Sequence, residues 1–94
     1  MKARFRVQGL VQGVGYRSWV QFRAVRLRLS GWIGNEADGA VAGEVEGGAE
    51  SLATFKELLA LGPELAKVRL LQWDLDKGAD PAGESLPFPF EIRR

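Results

Sequence analysis

The chain of 94 residues contains no cysteine and no histidine. Without cysteine there is no disulfide framework and no zinc ribbon, and a reducing cytoplasm is the expected compartment. Without histidine there is no Ser-His or Cys-His nucleophilic pair and no side chain that ordinarily titrates near neutral pH. The commonest transition-metal ligand is missing with it. Long apolar runs are absent too. None approaches the roughly 18 residues that a membrane-spanning helix needs, and Met1-Lys2-Ala3-Arg4 does not lead into a signal-peptide core. Charge of one sign is also scarce. Thirteen basic and 12 acidic residues leave a net charge of +1, too little for a general nucleic-acid coat or an acidic tail. No internal repeat, linker or low-complexity segment divides the chain, so residues 1–94 are expected to form one small domain. Its apolar content of 46% suffices for a single core.

Hydrophobic periodicity shows how that core is built. From Lys2 to Gln8, Ala3, Phe5 and Val7 alternate with Arg4, Arg6 and Gln8, the pattern of a half-buried strand. Between Ser18 and Leu29 the period becomes helical: Val20, Ala24 and Leu27 recur on one face, with Tyr16 one turn earlier. Arg23, Arg26 and Arg28 are left for solvent. Ser30-Gly31 ends the helix, and Arg28 stands where a C-terminal glycine is expected. Trp32 to Asn35 reads as a second strand, Glu36-Ala37-Asp38-Gly39 as a turn, and Ala40 to Glu46 as a third strand antiparallel to the second. After Gly47-Gly48, Leu52, Phe55, Leu58 and Leu59 form the buried stripe of a helix over Ala49–Leu61, stopped by Gly62-Pro63. Lys67 to Asp76 reads as a fourth strand, in which Leu70-Leu71 obscures the inward face. A loop rich in Gly, Pro and Ala follows from Lys77 to about Pro87. Phe88 to Ile92 then alternates as a short strand that its prolines confine to an edge. The order predicts a ferredoxin-like α+β sandwich, with two helices packed on one face of a mainly antiparallel sheet. That plan hosts many unrelated activities, so function has to be argued from side chains.

Gly9-Leu10-Val11-Gln12-Gly13-Val14-Gly15-Tyr16-Arg17 joins the first strand to the first helix. Its glycines allow positive φ and close approach of the backbone to a bound group. A cation at a helix N-terminus opposes the macrodipole, a conflict that an anion shared by Arg17 and the free amides would remove. The same residues also suit a bare turn with Arg17 in solvent, and Asn35 likewise suits an ordinary strand end. A dinucleotide site would need a longer run of parallel units than this chain provides, and a Walker loop lacks its Gly-Lys-Ser/Thr. Glu36 and Asp38 could be paired carboxylates, although Asp-Gly in a hairpin accounts for Asp38 without chemistry.

Together with Gly31-Trp32-Ile33-Gly34-Asn35, Asp38-Gly39, Glu46-Gly47, Gly62-Pro63, Ala66 and Val68, this loop makes the chain resemble the acylphosphatases over nearly its full length. The resemblance implies a hydrolase that cleaves acyl phosphates to a carboxylate and inorganic phosphate, without metal or cofactor. It implies that Arg17 binds the phosphate with the loop residues Gln12, Gly13, Val14, Gly15 and Tyr16, and that Asn35 positions the attacking water. The implied partner is a small acyl phosphate, with no nucleic acid and no membrane, and a monomer is expected. The sequence departs from the family's habits at Arg28 and Tyr16, where Gly and Phe are common, but at neither functional position. The chemistry suits a chain without histidine. The leaving carboxylate needs no general acid, and a loose phosphoryl transition state asks for a placed water more than a deprotonated one.

Overall fold

A computed structural model describes residues 1–76 and 85–93. Residues 77–84 of the expected Gly- and Pro-rich loop therefore lie outside the described residues. The elements are β1 (Lys2–Leu10), α1 (Tyr16–Arg26), β2 (Ser30–Asn35), β3 (Val41–Glu46), α2 (Ala49–Leu61), β4 (Lys67–Asp76) and β5 (Glu91–Arg93). Five strands form one sheet in the order β4-β1-β3-β2-β5. All neighbours are antiparallel except β2 and β5, which run parallel. This is the ferredoxin-like plan expected from the sequence, and β5 is at an edge, although Pro87 and Pro89 lie before the strand and not in it.

Alternation selects the face that the helices cover. Ala3, Phe5 and Val7 of β1, Ile33 of β2, and Val41 and Val45 of β3 are buried against Tyr16, Val20 and Ala24 of α1 and Leu52, Phe55 and Leu59 of α2. Phe55 joins the layers. Its ring lies 5.7 Å from Phe5, 5.8 Å from Phe90 and 6.5 Å from Trp73, all in edge-on or tilted packing that suits the ring quadrupoles. On the wet side of α1, Arg23 lies over Trp19 and Arg26 over Phe22, so two of the three helix arginines also shield aromatic surface.

Three departures from simple periodicity have local causes. β1 continues to Leu10 because β4 pairs along its whole length, with a register shift: Gln8 faces Leu70 while Gly9 faces Val68, leaving Arg69 as the extra residue. This bulge settles the Leu70-Leu71 ambiguity. Leu71, Trp73 and Leu75 face the core, Leu70 is exposed, and Val68 also packs inward although it lies three residues from Leu71. β2 begins two residues earlier than expected, at Ser30, and β3 one residue later, at Val41. β5 is displaced to Glu91–Arg93, following the buried Phe90.

The third departure is α1, which starts two residues before the expected Ser18 and stops at Arg26 rather than Leu29. Its end is a Schellman motif: the Arg28 amide donates to Val25 and the Leu29 amide to Ala24, each at 3.0 Å. Arg28 takes the left-handed position, with φ 58°. That conformation costs an L-residue about 1–2 kcal/mol, part of which glycine's greater unfolded-state freedom offsets. Arg28→Gly is expected to raise stability by about 1 kcal/mol, read as an increase in Tm of about 4–8 °C. A lower Tm would mean that the Arg28 side chain contributes more than its backbone strain costs.

Candidate active site

β1 and β2 are each antiparallel to β3, so their C-terminal ends lie at the same end of the sheet. Val7, Val41 and Asn35 form one row across the three strands. The glycine-rich loop that leaves β1 and the Asn35 that closes β2 are therefore brought to one edge by topology.

The loop is open above its glycines. Gly13 has φ 74° and Gly15 φ 78°, and a Cβ on either would meet no heavy atom within 4 Å. Glycine is thus required by backbone conformation and not by crowding, and the space it leaves faces outward. Gly15 is the N-cap of α1 and supplies no side-chain cap; the first turn holds no acidic residue. The first helical bond runs from the Trp19 amide to the Gly15 carbonyl at 3.1 Å, so the amides of Tyr16, Arg17 and Ser18 have no helical acceptor. Val11, Gly13, Gly15, Tyr16, Arg17 and Ser18 enclose a pocket of about 90 Å³. Sites for drug-sized ligands run to about 300–1,000 Å³; this one suits a small anion. Arg17 is partly buried and makes no ion pair among the described residues. Ser18 carries no distinguishing pattern in the sequence, because a serine in the first turn of a helix is ordinary.

Tyr16 enters the site only through its main chain. Its ring is in the core and its hydroxyl donates to the Leu59 carbonyl at 2.6 Å. Pro63, four residues after Leu59, has no N–H to give that carbonyl, so the phenol takes the place of a helical donor. Burial pushes the Tyr16 phenol far above its ordinary range, which keeps the proton on the donor. Tyr16→Phe leaves a buried carbonyl without a partner. It is expected to cost about 1–2 kcal/mol, measured as a lower urea midpoint with unchanged m.

The remaining positions divide by role. Val14 packs against the core. The Gln12 side chain turns away from the pocket: its Nε2 donates to the carbonyls of Glu36 and Ala40, both at 2.9 Å. Asn35 does not line the pocket either. It is exposed at the strand end, its side chain without a hydrogen bond among the described residues. The hairpin after it closes through the Glu36 amide to the Ala40 carbonyl, 2.8 Å, and the Gly39 amide to the Glu36 carbonyl, 3.2 Å. Asp38 accepts from the Ala40 amide at 3.1 Å and pairs with Arg6, so it is a turn clasp and not half of a catalytic carboxylate pair. The hydrogen bond from the Ala40 amide, aided by Arg6, holds its carboxyl below the usual range against an opposing desolvation effect. Its contribution is present above the unfolded value near 3.9 and is lost only as pH falls through the lower folded value.

A larger concavity of about 430 Å³ lies on the sheet face opposite the helices, between Arg4, Arg6, Trp32, Glu44, Gln72 and Asp74. Its arginines are already engaged, Arg4 with Glu44 at 3.6 Å and Arg6 with Asp38. The smaller pocket, by contrast, is lined by an arginine without an ion pair among the described residues. Among the described residues no three acidic side chains gather in a way that could hold a metal ion, and no helix is long and apolar enough to cross a membrane.

A family model described as Acylphosphatase matches residues 3–81. A relative named Acylphosphatase from Nitratidesulfovibrio vulgaris (strain DP4) is 44% identical over 90 residues, covering 95% of this chain and 86% of the relative. One of the same name from Moorella thermoacetica is 37% identical over 93 residues, covering 99% and 94%. The crystal structure of acylphosphatase from Bacillus subtilis superposes with a TM-score of 0.86 at 32% identity, over 99% of this chain and 98% of that one. The acylphosphatase from Coxiella burnetii follows at 0.81 and 30%, over 98% and 90%. Agreement in sequence and in fold, along essentially the whole chain in both cases, means that this protein belongs to the acylphosphatase family.

Proposed function

We propose that Arg17 and the main-chain amides of residues 12–17 bind the phosphoryl group of an acyl phosphate, and that Asn35 positions the water that attacks it. Hydrolysis of acyl phosphates is the activity of the family; the assignment of roles to residues is the reading offered here. The observation that carries it is the bare N-terminus of α1, where an unpaired arginine stands beside free amides above two open glycines. Only an anion satisfies the arginine, the amides and the helix dipole together.

Each step follows from these groups. The guanidinium and amides donate hydrogen bonds to the equatorial oxygens and so stabilise the negative charge on them as the P–O bond to the acyl oxygen loosens. That bond breaks with its electron pair on the departing carboxylate, which is stable as an anion and needs no proton. Water adds to phosphorus and releases its proton to solvent or to a phosphate oxygen. Asn35, an amide with no useful basicity, can orient that water but cannot deprotonate it. The protein is read as a single-domain, monomeric, cytoplasmic enzyme that uses neither metal nor nucleic acid.

The test is turnover of benzoyl phosphate by the purified protein, with and without EDTA. Equal rates are expected. A rate abolished by chelation and restored by Mg²⁺ would remove the metal-independent mechanism, and no turnover under either condition would remove the enzyme reading.

A further inference from the structure

The family resemblance implies that Gln12 is among the phosphate-binding residues, yet its side chain is bonded to the β2–β3 hairpin and does not line the pocket. Both hydrogens of one amide nitrogen go to the β2–β3 hairpin, to Glu36 and Ala40 at 2.9 Å each. The hairpin does not need them to close. Glu36 and Ala40 already bond each other at 2.8 Å, and the Glu36 carbonyl also receives the Gly39 amide at 3.2 Å. Gln12 is therefore a brace across two segments, of which the hairpin closes without it. One is the loop with Arg17; the other begins at the residue after Asn35.

We infer that Gln12 is a positioning residue for hydrolysis: its side-chain amide fixes the distance between the phosphate held by the loop and the water held by Asn35. This rests on the roles proposed above for Arg17 and Asn35. In-line attack requires water and phosphorus in near-attack register, and misplacement on the scale of 1 Å costs up to about 10² in rate. The Gln12 main chain remains with the loop, so binding of the phosphoryl group does not depend on the brace.

Gln12→Leu keeps the size and removes both donors. It is expected to lower kcat by about 10-fold, inside that limit, while inhibition by inorganic phosphate changes by less than about 2-fold. Gln12→Glu supplies a readout that a structural role would not move. Ionised, its carboxylate confronts two carbonyl oxygens with no donor, which raises its pKa above the ordinary value of about 4.3. Protonated, it regains one donor. The ratio of variant to wild-type kcat on benzoyl phosphate is therefore expected to rise as pH falls from 7 toward about 5, ahead of that value. Glu36 and Asp38 on the hairpin, Arg6 on β1, Arg17 on α1 and Arg69 on β4 surround this region. They and the substrate's own ionisation are common to both proteins and cancel in the ratio.

Full kcat in Gln12→Leu overturns the inference, as does a parallel loss of kcat and phosphate inhibition, or a ratio flat with pH. Should Gln12→Leu fail to fold, the acid recovery of Gln12→Glu decides. Arg17→Ala run alongside separates the two levels. If it loses activity while the Gln12 variants do not, the brace is wrong and the site stands; if it keeps full activity, the site reading itself fails.

Discussion

Replacing Arg17 with alanine is expected to lower kcat/KM on an aryl acyl phosphate by at least about 10²-fold, the scale for removing one preorganised donor from a developing oxyanion. Among the described residues the guanidinium is the only formal positive charge lining the pocket. Its planar fork offers paired donors to two phosphoryl oxygens. Lysine would restore the charge without the fork, so Arg17→Lys should recover only part of the loss. The same substitution has an opposite effect on folding. With no ion pair among the described residues and a helix dipole set against it, Arg17 contributes nothing evident to the free protein. Arg17→Ala should therefore leave stability unchanged or raise it by a few tenths of a kcal/mol. Kinetics and a thermal melt on one preparation test both. Full turnover in the folded variant would remove Arg17 from the reaction.

Asn35→Ala is expected to lower kcat by about 10²-fold, the cost of releasing a water that was held in line for attack. KM and inhibition by inorganic phosphate should stay within about 2-fold of wild type, because a group that touches only the attacking water does not contribute to binding. The position is favourable for such a test. The side chain is exposed, and pairing with Val41 is a main-chain matter, so alanine removes an amide without disturbing the strand. A loss confined to KM would make Asn35 a substrate-binding residue. No loss at all would leave the water to be oriented by something else.

Much of the architecture was written in local pattern. α2 and β4 have the bounds their periodicity implied, because Gly62-Pro63 punctuates one and an unbroken apolar alternation runs through most of the other. The ends of α1 depart from the periodicity because both are set by backbone torsion: Gly15 starts the helix in a left-handed cap, and Arg28 stops it in the same region without being glycine. The bulge at Arg69 left only an odd spacing of apolar residues, which alternation cannot distinguish from an ambiguous face. The site divided similarly. Arg17 stands out as a cation at a helix N-terminus, whereas the role expected of Asn35 comes from the family resemblance alone. The turn of the Gln12 side chain to the hairpin could not be foreseen, since its partners are two carbonyls 24 and 28 residues away that any sequence would supply.

The uncapped start of α1 also links occupancy to folding. An anion that binds the folded loop and not the unfolded chain adds RT ln(1 + [L]/Kd) to stability, about 2.7 kcal/mol when it is present at a hundred times its Kd. On the proposed reading, substrate and product phosphate are both such anions, and each completes a helix terminus that the chain leaves without an acidic or capping side chain. On that reading the phosphoryl group supplies the cap that this terminus lacks, and the first turn of α1 is expected to be firmest during the interval in which the enzyme is at work.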